Sequence, residues 1–446
     1  MTLTRTIAEF TSSLPISTVP ERILERAKVT LFHNLMVALA GTPGSDATLA
    51  LAATSAGGGP ARILADGTRV DPETAALVNA ALVHARTQDD VHFPSQTHAG
   101  SVTIPAILAL GEERGASGVD VLVAMIAGYE ALAAVGADIA PRSTARGLRA
   151  TALYGPIASA FACARLLELD ATTTAHAAGL AAGTSAGTSQ TWVASTPEWR
   201  VQPGIAARHG MLCARLAMHG AAAAPDALEG AAGFYAAFTG EPRTGDPGRL
   251  GVRWALDEVS YKPYPVCAIN QVPVVTLLDV LAERPEIEPP SIDSMRLSLH
   301  PDEYSYPGTD AIGPFTDVGG TLMSAQFCLA AAATFRTVAA RHLLAFDDAA
   351  LMELTRRVEV VPNPDLAPQT CALEVRLVDG EILSAHGQPN DEVFRFGREG
   401  ALALAGRIAG DEALGDPRPL ADAVFDLEHT SVEALVDAVL GVHGID

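Results

Sequence analysis

The chain has 446 residues, of which 48% are hydrophobic, 18% charged and 5% aromatic, and its formal net charge is −22. That length exceeds one compact core and predicts two domains. A surface this acidic repels phosphate backbones and anionic lipids, which excludes nucleic acid and membrane surfaces as expected partners. An anionic substrate would need a local island of basic residues.

Ala and Gly are abundant, and small side chains let helix axes approach closely. The cysteines, Cys163, Cys213, Cys267, Cys328 and Cys371, are scattered and form no CxxC pair. They indicate neither a zinc site nor a disulfide framework and read as reduced core thiols. The start, Met1-Thr2-Leu3-Thr4-Arg5, leads into a mixed segment, not an apolar signal core. The Ala-rich runs are broken by charge, Gly or Pro before they could span a bilayer. A soluble, cytoplasmic protein is expected.

The first half reads as successive helices. Thr18-Val19-Pro20-Glu21 resembles a capping box before an apolar pattern through Ile23, Leu24, Ala27, Leu31, Phe32 and Leu35. Asp71-Pro72-Glu73 opens a second helix and Ser117-Gly118-Val119-Asp120 a third. Tyr154 to Leu167 is a fourth. Asp170 caps a fifth, and Thr196-Pro197-Glu198 precedes a sixth running to His219. No Gly-rich phosphate loop follows a strand, so a dinucleotide fingerprint is absent.

The pattern changes at Tyr261-Lys262-Pro263-Tyr264-Pro265, which cannot continue a helix. Strand-like runs follow at 294–299, 358–361 and 372–378. Asp379-Gly380 is a hairpin signal before a short strand through Ile382 and Leu383. Helices at 271–281 and 324–341 are placed to cover one face of that sheet. The expected architecture is mainly α: a large all-helical domain over 1–262, a smaller α+β lid over 263–392, and a segment 393–446 returning to the first domain. A substrate cleft is expected where the two domains meet.

Four clusters carry chemistry. The first, Asp89-Asp90-Val91-His92-Phe93-Pro94-Ser95-Gln96-Thr97-His98, packs two acids and two imidazoles before an apolar helix from Val102 to Leu110. A helix N-terminus favours an anion, and a neutral His beside it can abstract a proton next to a carboxylate. A solvated loop with capping acids, or a divalent-ion site on Asp90, His92 and His98, are the alternatives. The second cluster is Trp199-Arg200-Val201-Gln202-Pro203-Gly204, where Arg200 can clamp a carboxylate or be an ordinary surface residue. The third is Lys262 at the domain crossing. The fourth is Arg146-Gly147-Leu148-Arg149 with Tyr154, either two guanidinium groups and a phenol at a site or plain helix packing.

These clusters, with Ile104-Pro105-Ala106, Gly128-Tyr129-Glu130, Tyr154-Gly155-Pro156, Pro203 to Gly210 and Lys262 to Cys267 in order, resemble the MmgE/PrpD superfamily over nearly the whole chain. The resemblance implies a helical domain plus an α+β lid, a homodimer, and cleavage or epimerisation at a carbon alpha to a carboxylate, with neither metal nor organic cofactor. Carried onto this sequence, His98 is the loop acid/base, Asp89 and Asp90 are the last two acids of an Asp-x-Asp-Asp run, and Lys262 is the junction lysine. Arg200 lies near a basic position of the family. Thr87 stands where the first acid of that run is expected, Val91 replaces a Thr, Arg149 stands where many members have a His, and Phe327 where a Tyr is frequent.

The expected mechanism follows. Arg200, Arg149 and Lys262, with Asp89 and His92 beside them, bind a small (poly)carboxylic acid. His98 moves the α-proton, Asp90 orients it or acts as a second acid/base group, and Tyr154 donates to a leaving group. Dehydration, decarboxylation and epimerisation all pass through such a carbanion. The other reading is a catalytically degenerate member that binds a small acid or a protein partner.

Overall fold

The computed structural model describes residues 2–55, 57–137, 139–243 and 248–445. Met1 and Asp446, which bound the expected first and last segments, lie outside the described residues. The chain divides into two compact units: Met1–Thr188 with Arg200–Tyr261 and Phe396–Asp446, and Ser189–Trp199 with Lys262–Arg395. The short segment Ser189–Trp199, expected in the helical domain, groups with the second unit because its two indoles pack together there. Trp192 and Trp199 lie 5.4 Å apart between ring centroids and belong to the second unit's core. The first unit regains the chain at Phe396, whose ring stacks on Tyr261 at 4.7 Å.

The first unit is helical, with two short antiparallel strand pairs that an all-helical expectation omitted: Ala61–Arg62 with Arg69–Val70, and Val91–His92 with Val259–Ser260. Its helix starts follow local chemistry. Asp71 caps Pro72–His84 by accepting from the Thr74 N–H at 3.0 Å, and Ser117 and Asp120 form a reciprocal box before Gly118–Gly136. The Thr18 box does not form. Thr18 donates to the Pro15 carbonyl within a short 3-10 turn, and Pro20 precedes the helix Glu21–Ala40. Leu3–Ser13 is a further helix, capped by Thr2.

The helix expected from Tyr154 starts earlier, at Ala150, and runs to Leu166 with Arg149 as its N-cap. The helix after the His-rich loop spans Ala99–Arg114 with His98 as its N-cap. Close packing places these ends. A Cβ on Gly204 would lie 2.4 Å from the Leu77 carbonyl oxygen, and one on Gly210 would lie 2.3 Å from Ser159 Cβ. The helix Gln202–Met218 therefore lies directly on both Pro72–His84 and Ala150–Leu166.

Gly118–Gly136 is, among the described residues, the one helix long and apolar enough to cross a membrane, contrary to the expectation that no run reaches that length. Its apolar window is 89% buried inside the protein, so its hydrophobicity serves the core.

The second unit holds a four-stranded sheet in the order Val358–Pro362, Ile292–Leu299, Cys371–Leu377, Ile382–Gly387. The first pair is parallel and the other two antiparallel. Cys371, Leu373, Val375 and Leu377 alternate inward, as a half-buried strand requires. The helices Ala268–Glu283 and Ala325–Phe335 contribute Val272, Leu277, Phe327 and Leu329 to the same core. The expected single helix at 324–341 stops at Arg336, which turns left-handed with φ 55°.

Candidate active site

Three helix ends and one loop of the first unit build the site. His84 is the last residue of Pro72–His84, His98 caps Ala99–Arg114, and Arg149 caps Ala150–Leu166. Between the first two runs a loop carrying Asp89 and Asp90. The Gln88 carbonyl faces His33 Nε2 at 2.8 Å, which braces that loop from the helix Glu21–Ala40.

Asp89 sits at the centre and is fully buried. Its Oδ2 is 2.7 Å from His84 Nδ1, and its Oδ1 is 3.3 Å from His98 Nδ1. The rings of His84 and His98 lie 4.8 Å apart, nearly edge to face. Behind His84, an Arg149 terminal nitrogen bonds to Nε2, and the other terminal nitrogen donates to Gln202 Oε1 at 3.0 Å. Burial pushes the His84 imidazolium down to about 3, with the Arg149 charge adding to that and Asp89 opposing it.

His98 reaches further out, its side chain 18% exposed while those of Asp89 and His84 are closed to solvent. Its Nδ1 donates to the Asp90 carbonyl at 3.0 Å, and its backbone N–H donates to Thr151 Oγ1 at 3.2 Å. His98 thus joins the first turns of two helices, a setting that favours negative charge nearby.

Asp90 meets the His98 ring through its backbone, while its carboxylate is engaged elsewhere. Its Oδ1 accepts from the Gly100 N–H at 3.0 Å and its Oδ2 from the Tyr129 hydroxyl at 2.9 Å. Its carbonyl, not its carboxylate, holds the His98 ring. Burial, then the neighbouring Asp89 charge, raises its pKa to about 7.

Several expected site residues lie elsewhere. His92 is buried with Nδ1 on Ser95 Oγ at 2.7 Å and Nε2 3.4 Å from Glu258, which also pairs with Arg249 and Arg253. Tyr154 is a core residue: its hydroxyl bonds Ser143 Oγ at 3.0 Å and its ring packs on Phe234. The loop is not a solvated one, since Asp89, Asp90 and His92 are all fully buried. A divalent site on Asp90, His92 and His98 is not assembled, because the first two are engaged with Tyr129, Gly100, Ser95 and Glu258. Among the described residues the trio within reach of one ion is His84, Asp89 and His98, their ligand atoms within 4.8 Å of one another. Arg149 on His84 places a fixed cation against that trio, which opposes a second one.

Arg200 is half-buried, and its Nε donates to the carbonyl of Ala85, the residue after His84, at 3.4 Å. Lys262 opens the longer segment of the second unit and is buried. Phe327 packs edge-on against Phe315 in that unit's core. The residues that sequence reasoning missed are His84, Thr151, Gln202 and Tyr129. The imidazole closing an otherwise apolar helix, five residues before Asp89, was the available signal for the first.

Residues 5–245 match the model of the MmgE/PrpD N-terminal domain. The chain belongs to the MmgE/PrpD family. It is similar to a cis-aconitate decarboxylase of Aspergillus terreus, 29% identical over 301 residues that cover 64% of this chain and 61% of that protein. A cis-aconitate decarboxylase-like protein of Aspergillus oryzae is 29% identical over 49% of this chain and 47% of its own length. Human cis-aconitate decarboxylase is 28% identical over 44% of this chain and 42% of its own. The match therefore spans about three-fifths or less of each of these relatives.

Proposed function

We propose that the protein is a cofactor-independent lyase or isomerase that removes the proton alpha to a carboxylate of a small (poly)carboxylic acid, with His98 as the base. The observation that carries this is the placement of His98: partly exposed at a helix N-terminus, with Nδ1 directed to the Asp90 carbonyl and Asp89. An imidazole that donates from Nδ1 carries its basic lone pair on Nε2, the nitrogen that takes a proton. The developing aci-carboxylate is stabilised by the helix N-termini at Ala99 and Ala150, and Arg200 supplies a fixed cation.

The carbanion then loses a β-hydroxyl as water or is reprotonated by His98 or from the opposite face; in a decarboxylation the same kind of carbanion is formed instead by loss of CO2 and takes its proton from the His98 imidazolium. The names of the relatives make cis-aconitate the first compound to test. The reading also keeps a cytoplasmic homodimer, and five buried, unpaired cysteines fit a reducing compartment. The deciding experiment incubates the enzyme in D2O with cis-aconitate and with a panel of 2-hydroxy and 2-amino diacids, following CO2 release and α-deuteration by NMR. Turnover or exchange on one of them, lost in His98→Ala, is expected. Exchange that persists in His98→Ala would remove the assigned base.

A further inference from the structure

The polarity of the hydrogen bonds behind His98 is fixed from one end. A guanidinium has donors only. Because Arg149 bonds to His84 Nε2, that nitrogen must accept. The neutral His84 ring then carries its proton on Nδ1, which points at Asp89 Oδ2 at 2.7 Å. Asp89 is thereby held as an acceptor, and its other oxygen faces His98 Nδ1 at 3.3 Å. A carbonyl, that of Asp90, accepts at the same nitrogen at 3.0 Å. The Asp90 carbonyl already requires a proton on His98 Nδ1, the Asp89 oxygen at 3.3 Å adds a second acceptor there, and the basic lone pair of His98 falls on Nε2.

We propose that Arg149 and His84 are positioning residues: a buried donor-to-acceptor relay that holds Asp89 as an acceptor and so, together with the Asp90 carbonyl, keeps the tautomer and orientation of His98. Arg149 is 4% exposed, with one terminal nitrogen on His84 and the other on Gln202, so its charge acts through His84. This departs from a role for Arg149 as a substrate clamp. It rests on the proposed catalytic role of His98 only for its effect on rate; the tautomers themselves are independent of any substrate. Charged and titratable groups facing His84 include Arg149, Asp89 and His98.

The test is long-range 1H–15N NMR on histidine-labelled protein at pH 7, with His84→Gln and His98→Gln used to assign the two rings. The expected result is an Nδ1–H tautomer for both rings. Arg149→Met removes the donor and should turn His84 into a mixture of tautomers or a cation, shifting the His98 signals with it. Arg149→Lys keeps a donor-only group and should restore the native pattern. A His84 ring carrying its proton on Nε2 in the unaltered protein, or unchanged His84 and His98 spectra in folded Arg149→Met, would overturn the proposal. Where exchange activity is found, Arg149→Met and His84→Gln should lower kcat at least tenfold with KM held within about twofold. A rise in KM alone would mark Arg149 as a substrate clamp instead.

Discussion

Asp90 and Gly100 are joined by a single hydrogen bond, from the Gly100 N–H to Asp90 Oδ1 at 3.0 Å, that ties the acidic loop to the helix capped by His98. A Cβ on Gly100 would fall 2.4 Å from that oxygen and 2.5 Å from Asn34 Nδ2. Neither can retreat easily: Asn34 donates to the Thr30 carbonyl at 2.8 Å, and Asp90 is held by Tyr129. Gly100→Ala should therefore destabilise the protein by about 1–3 kcal/mol and displace His98. Gly406, in the helix Arg398–Glu412, has nothing within 4 Å of the same position, so Gly406→Ala should stabilise by about 0.5–1 kcal/mol through helix propensity. Urea melts of the two variants give the comparison.

The pH dependence of stability should carry two opposed signatures. Asp90, raised to about 7 by burial and Asp89, holds a proton in the folded state that the unfolded chain releases near its ordinary carboxyl value. Its contribution is present in acid and is lost as pH rises from about 4 through 7. His84, lowered to about 3 by burial, binds a proton more readily when unfolded. Its contribution is present above pH 6.5 and is lost as pH falls toward 3. The stability difference between the native protein and Asp90→Asn should thus fall with rising pH, while that against His84→Gln should grow. Parallel curves for either pair would remove the corresponding assignment.

The parts of this architecture legible in the sequence are those decided within a few residues. Asp71 and Ser117 cap helices because their partners, Thr74 and Asp120, lie three positions away. Asp379-Gly380 makes its turn because Gly380 takes φ 93°. Thr18 fails as a cap although its local pattern is right, since it closes a 3-10 turn with Pro15 and the helix begins only at Glu21, with Pro20 before it. The site divides the same way. His98 and the acids announce themselves as a cluster, but which acid faces which ring depends on contacts such as Tyr129 to Asp90, 39 residues apart. Tyr154 and His92 look equally reactive in sequence, and only tertiary packing turns one to Ser143 and the other to Ser95 and Glu258.

Asp89→Asn tests the central acceptor. The amide replaces one of the two acceptor oxygens with a donor, so one of the two imidazoles loses its acceptor, while changing little in size. Activity should fall by about 10²–10⁴-fold, the range general acid–base groups supply, mostly in kcat. Chelator treatment should leave turnover unchanged, because His84 already uses both nitrogens toward Arg149 and Asp89. A chelator-sensitive enzyme restored by a divalent ion would place a metal at His84, Asp89 and His98 and end the cofactor-free reading.

Thr87 holds φ 52°, a left-handed backbone that a β-branched side chain adopts at a cost. The family resemblance puts an acid there, and Asp and Asn visit this region more readily. Thr87→Asn adds no charge beside Asp89 and should raise stability by about 1 kcal/mol, read as a higher melting temperature. A drop in stability would mean that the Thr87 side chain contributes more than its backbone loses.

Arg200 offers the sharpest contrast with Arg149. It is half-buried, and its Nε donates to the Ala85 carbonyl at 3.4 Å. A guanidinium anchored through Nε keeps the geometry for a two-pronged grip on a carboxylate. Arg200→Gln should raise KM for an anionic substrate by about 10–100-fold, corresponding to the loss of a charged hydrogen bond, with kcat much less affected. Arg200→Lys should recover only part of that, since an ammonium supplies charge without the planar fork. High salt should weaken binding to the native enzyme more than to Arg200→Gln. If Arg200→Gln instead lowers kcat and leaves KM alone, the residue acts on the reacting centre, and the carboxylate must be held by other cations.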